Sequence, residues 1–237
     1  MRRIIQPFNI VERVLRDRIS YFAEIARGEA LLHKIGELLA ITTFGLAVFG
    51  FVAGLSGRNL AQALVSAVKL PYLFLASGVI CLPTLYYFSV LFGSRLRFLQ
   101  TVTLILTAQT VAAVLALGAA PISLLFLISG SELEFLVALN VGVLGLAAGL
   151  GLIFLVQGAL YIHQVQPPDK ITFWTWAWLL MRGTFRSLVL IVWIVVYGLV
   201  GTQLSYTLRP FFGVPLTGHD FWSSMGSLMT GLLRIGQ

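Results

Sequence analysis

The sequence predicts an all-α, polytopic integral membrane bundle of about five transmembrane helices, with amphipathic interfacial helices at both ends. Three observations predict it. Hydrophobic residues make up 58% of the 237 and charged residues only 11%, against roughly 25% charged in an ordinary globular chain, and a soluble fold has no interior large enough to hide so much apolar surface. Five apolar runs, 36–57, 70–93, 99–128, 133–162 and 186–207, reach the ~20 residues that a helix needs to cross a hydrocarbon core of about 30 Å. The net charge of +7 comes from basic residues gathered at the ends of those runs. That is a topology signal, not a nucleic-acid surface.

Residues 1–35 form the first unit. Val11, Val14, Leu15, Ile19, Phe22, Ile25 and Ala26 recur at spacings of three and four, with Glu12, Arg13, Arg16, Asp17 and Glu24 between them, which predicts an amphipathic helix. Its apolar face suits either the lipid interface or the cytoplasmic ends of the spans, and its basic flank suits anionic headgroups. The segment is charged and lacks an apolar core of about 7–15 residues before a cleavage site, so no cleaved signal peptide is expected.

The spans, 36–207, follow. With the N-terminus inside, twelve of the sixteen Lys and Arg fall on the cytoplasmic side and only Arg58, Lys69, Arg209 and Arg234 on the outer side, while the loop 129–134, SGSELE, contributes acids alone. The positive-inside rule therefore predicts five spans in an inner or cytoplasmic membrane, N-terminus cytoplasmic and C-terminus outside. Pro83 lies within the second run and Pro121 within the third. Each removes a helical N–H, and Ser77 or Thr84 is a candidate to satisfy a carbonyl freed near Pro83. At Pro121 a long kinked helix is preferred to a re-entrant piece over 120–128, because unpaired backbone is costly in lipid.

The segment 165–182, VQPPDKITFWTWAWLLMR, starts with a Pro-Pro turn and places Trp174 and Trp178 on one helix face. Indoles favour the membrane boundary, so an interfacial helix is expected here. In 208–237, Arg209 is expected to snorkel outward, Pro210 to turn the chain, and Phe211 and Phe212 to anchor the turn. A second amphipathic helix, with Asp220 as its cap, is expected to follow on the outer side.

Chemistry-bearing residues are sparse. Gln109, Asn140 and Gln157 are the amides well inside the apolar runs, and such groups are expected to hydrogen-bond between helices. His33 and His163 end up near one membrane face, and could hold a haem or chlorophyll between them as axial ligands. Cys81 stands alone, which excludes an intrachain disulfide. The chain contains no P-loop, GxSxG, HExxH or CxxC, and no enzyme activity is expected. Two GxxxG pairs, Gly50 with Gly54 and Gly145 with Gly149, allow close helix approach, either within the chain or against a partner.

The stretches KLPYLFLASGVICLPTLYYFSVLFGSRLRFLQ and GTQLSYTLRPFFG, set in a five-span layout with a cytoplasmic N-terminal segment and a short outer tail, resemble bacterial proteins of the Yip1-like family. The resemblance implies a non-enzymatic membrane organiser and supplies no catalytic residues. The expected function is an accessory or assembly subunit that binds the lipid bilayer and other membrane proteins, or itself. The contact candidates are Arg209, Phe211, Phe212, Trp174, Trp178 and the two glycine pairs. A small-solute transporter or channel subunit, lined by the proline-bearing second and third spans, and a cofactor-holding subunit of an electron-transfer or light-harvesting complex are the alternatives.

Overall fold

A computed structural model of the chain describes residues 8–57, 60–91, 97–162 and 186–207. The described residues are helical, without strands: α1 (Phe8–Arg16), α2 (Arg18–Arg27), α3 (Leu31–Gly54) with a short 3-10 turn after it (Leu55–Gly57), α4 (Leu60–Leu91), α5 (Phe98–Ile128), α6 (Leu133–Ile162) and α7 (Arg186–Thr207). Four helical stretches, Leu31–Gly54, Leu60–Tyr87, Phe98–Ile128 and Leu133–Ala159, are long and apolar enough to cross a membrane, and Val192–Ser205 in α7 is a shorter apolar stretch. The first membrane-length helix begins at Leu31 and not at residue 36, and α4 starts at Leu60, ten residues before the apolar run that announced it. Hydropathy marks where the lipid-like composition starts. Backbone hydrogen bonding carries the helices further.

The N-terminal segment is two helices instead of one. Asp17 interrupts the periodic pattern because its carboxylate accepts a hydrogen bond from the Ser20 N–H at 3.4 Å, capping α2. Gly28 then ends α2 in the left-handed conformation, φ 79°, which a residue with a Cβ adopts only at a cost. Of the expected apolar face, Val14, Phe22 and Ile25 are buried, together with Ile10 and Tyr21, whereas Leu15 and Ile19 are exposed. The buried set packs with Leu38 of α3, Leu104 of α5 and Ala159 of α6, so α1 and α2 cover one end of the bundle.

Helix α5 is central. It packs against α3, α4 and α6, while α7 packs on α4. Its sequence explains the position: Ala108, Ala112, Ala113, Ala116 and Ala120 are buried, and small residues let neighbouring backbones come close. A Cβ placed on Gly45 of α3 would stand 3.1 Å from the Ala113 carbonyl oxygen, and one on Gly151 of α6 would collide with the Ala108 carbonyl oxygen. The helix runs unbroken through Pro121, as expected of a proline-bearing span rather than a re-entrant piece.

Most buried hydroxyls of α5 are satisfied by their own helix and by their neighbours, the exception being Thr101, whose Oγ1 is buried without a hydrogen-bond partner among the described residues. Thr107 donates to the Thr103 carbonyl at 2.7 Å and accepts from the Tyr21 hydroxyl at 2.9 Å. Thr110 donates to the Leu106 carbonyl at 2.8 Å and accepts from Thr42 of α3 at 2.9 Å. Burial pushes the Tyr21 phenol up to about 12, against the opposing pull of the Thr107 hydrogen bond, so it stays a donor. Gln100, at the start of α5, donates to the carbonyls of Ile25 and Ala26, both at 2.9 Å. It thereby ties α5 to the last turn of α2, where the Ile25 carbonyl also accepts from the Gly28 N–H at 3.0 Å.

Candidate functional site: a charged cavity and two glycine faces

Where α1 and α2 meet α3, a cavity of about 210 Å³ is lined by Arg13, Glu24, Glu29, His33, Lys34 and Glu37, with Ile10 and Ala30. Each wall has a sequence cause. The cap at Asp17 turns α2 back over the bundle, so that Arg13 of α1 reaches Glu24 of α2. The Gly28 and Ala30 turn, both residues at positive φ, starts α3 with His33, Lys34 and Glu37 in its first two turns.

Lys34 is buried, with its ammonium 2.8 Å from Glu24 and 5.5 Å from the centre of the Tyr21 ring, a cation-π geometry. Burial alone would raise the Glu24 carboxyl, but the hydrogen bond and charge of Lys34 and the charge of Arg13 outweigh it and hold the group below its ordinary 4.5. Glu29 pairs with Arg27 at 2.9 Å. Glu37, whose side chain is 14% exposed, has His33 Nε2 at 3.1 Å, an ion pair only when the imidazole is protonated.

The in-membrane amides do join helices. Gln109 of α5 donates to the Phe74 carbonyl of α4 at 2.5 Å and lies 3.4 Å from the Tyr197 hydroxyl of α7. Asn140 of α6 accepts from Ser123 of α5 at 2.8 Å, and Gln157 of α6 accepts from Arg18 of α2 at 3.2 Å. Near Pro83, Ser77 and Thr84 bond the carbonyls of Leu73 and Cys81 in their own helix. The Trp193 indole of α7 also donates to Cys81, at 3.1 Å. The space beside Gln109, Trp193 and Tyr197 is about 10 Å³, room for no more than one water.

The two glycine pairs, identical in spacing, do different things. A Cβ on Gly50 would stand 2.6 Å from the Ser66 carbonyl oxygen, and one on Gly54 would stand 2.7 Å from the Ala63 Cα. That pair seats α3 on α4, so its partner lies within the chain. Gly145 and Gly149, with Gly142, have nothing within 4 Å of their Cβ positions among the described residues. They face outward beside Val141, Leu146 and Leu150, which are 54%, 73% and 45% exposed. Helix α6 thus carries glycine on two faces, since Gly151 packs inward against α5 and Gly158 against Leu104 of α5 and Phe22 of α2.

Trp174, Trp178, His163, Arg209, Phe211 and Phe212 lie outside the described residues, as do the Trp-rich and C-terminal interfacial segments. His33 is therefore placed without the histidine it was paired with, and its Nε2 points at Glu37. Among the described residues no three His, Cys, Asp or Glu side chains cluster as metal ligands. Sequence reasoning missed the cavity. The signal was the spacing of Lys34 and Glu37, three residues apart and so neighbours on one helix face. The partners from α1 and α2 depend on a turn that the periodic pattern concealed.

Comparisons with protein-family models, with curated proteins and with solved structures find no match.

Proposed function

We propose that the chain is a non-enzymatic accessory or assembly subunit of a membrane complex, and that it binds another membrane protein through the outward face of α6. One observation carries this reading: Gly142, Gly145 and Gly149 form an exposed lane on a helix of membrane length. Glycine inside a helix costs roughly 0.5–1 kcal/mol relative to alanine, and a face turned only to lipid gains nothing in return. A helix packed on that face would gain close backbone approach. The resemblance to Yip1-like proteins supports the same class.

Purification in mild detergent tests the reading. A stoichiometric protein partner is expected with the wild-type chain and is expected to be lost from the double variant Gly145→Leu, Gly149→Leu, whose side chains fill the lane. A partner retained by that variant counts against the α6 face.

The finer architecture belongs to the same proposal: α7 is a fifth span, the N-terminus is cytoplasmic and the C-terminus outside, supported by twelve of sixteen basic residues falling on one side. A reporter fused after Gln237 should be active only if it needs export. Activity of a cytoplasm-dependent reporter there would remove the fifth crossing.

A further inference from the structure

We propose that the charged cavity between α1, α2 and α3 binds a zwitterionic ammonium-phosphate group, and that the ligand is the headgroup of phosphatidylethanolamine. The proposal stands apart from the α6 face, and needs only that α3 enters the membrane near Leu31.

The ion pairs do not cancel evenly around the cavity. Glu24 is shared by Arg13 and Lys34, which leaves that wall with one positive charge in excess. Glu29 is matched by Arg27. Among the described residues Glu37 is paired with His33 alone, which balances it only when the imidazole carries a proton, so a neutral imidazole leaves that wall one negative charge in excess. Lys34 and Glu37 are three residues apart on α3, so their side chains start ~5–6 Å from each other on one face. The cavity is thus dipolar, positive at Lys34 and Arg13 and negative at Glu37. A phosphate suits the first pole through charge-assisted N–H donors, and a primary ammonium suits the second as a donor to the carboxylate. The two-carbon spacer of ethanolamine phosphate keeps its own charges a few ångströms apart. A metal ion fits less well, because no three ligand side chains converge among the described residues.

Position selects a lipid as the source. The apolar stretch Leu31–Gly54 begins at the cavity, which sets the charged walls at the depth of headgroups. Next to Glu37, Gly36, Ala40 and Phe44 succeed one another at four-residue intervals and are all exposed. Nothing stands within 4 Å of a Cβ at Gly36. They form a smooth apolar lane running from the cavity along α3, along which an acyl chain can lie while its headgroup occupies the cavity.

Native mass spectrometry of the full-length chain in mild detergent tests this, with phosphatidylethanolamine, phosphatidylcholine and phosphatidylglycerol of the same acyl chains, and with free O-phosphoethanolamine. One phosphatidylethanolamine is expected to stay bound. Phosphatidylcholine, whose quaternary nitrogen has no N–H, and phosphatidylglycerol, which has no cation, should each bind about tenfold more weakly or worse, the loss of one charge-assisted hydrogen bond. Glu37→Gln should show the same tenfold loss. His33→Lys should show it too, at a position 63% exposed, because the fixed ammonium occupies the Glu37 carboxylate. Equal retention of phosphatidylglycerol, or wild-type binding by both variants, would overturn the site. Free O-phosphoethanolamine binding as tightly as the lipid would overturn the lipid assignment.

Discussion

Alanine at Gly50 is expected to destabilise the bundle by about 1–3 kcal/mol, the range for overpacking a close contact, whereas alanine at Gly145 is expected to cost nothing. The added methyl at Gly50 meets the backbone carbonyl of Ser66 at 2.6 Å and the Leu70 Cβ at 3.2 Å. A backbone atom in a packed helix cannot rotate aside, so α3 and α4 must separate. At Gly145 the methyl enters open space among the described residues, and helix propensity favours alanine by up to ~1 kcal/mol. Unfolding of the two single variants in mild detergent measures the contrast. Equal stability would mean that α3 and α4 do not approach as closely as described.

The second large effect concerns Glu24. Its replacement by glutamine leaves the buried Lys34 ammonium without its carboxylate, and Arg13 without its own. Breaking a fully buried pair from one side costs ~3–5 kcal/mol. The neighbouring cavity admits water, and Arg13 is 45% exposed, so about 2 kcal/mol is expected here. The pH dependence follows from the direction of the shift. Because Glu24 is held below 4.5 in the folded protein, its contribution is fully present above the unfolded value and is lost as pH falls through the lower, folded one. Wild type should therefore be more stable than Glu24→Gln at neutral pH, and the two should converge in acid below about 4.5. A gap unchanged down to strongly acidic pH would remove the Lys34 pair from the account.

Much of the architecture was legible because lipid imposes one rule on every residue. A run of ~20 apolar residues must be a helix, and the runs that became α3, α4, α5 and α6 obey it. The interior amides were legible for the same reason, since a polar group in that setting needs a partner on another helix. The break at Asp17 was not, because Leu15, Ile19 and Phe22 keep helical spacing across it, and the cap hydrogen bond to Ser20 is what distinguishes two helices from one. The different roles of Gly50 and Gly145 were equally hidden. Spacing fixes which residues share a face, but what lies opposite depends on the order in which helices pack around α5. The cavity combines both difficulties: the sequence shows Glu24, His33, Lys34 and Glu37 as separate charges near a span, and the turn at Gly28 is what brings them together.

The central claim, that the outward glycine lane of α6 is a protein contact, is tested most directly by a photo-crosslinking residue at Leu146, which is 73% exposed between Gly145 and Gly149. Leu64 of α4, 62% exposed, is the reference position. Irradiation in intact membranes is predicted to give one defined protein adduct from position 146 and only lipid adducts from position 64. Lipid adducts alone from both positions would contradict the account.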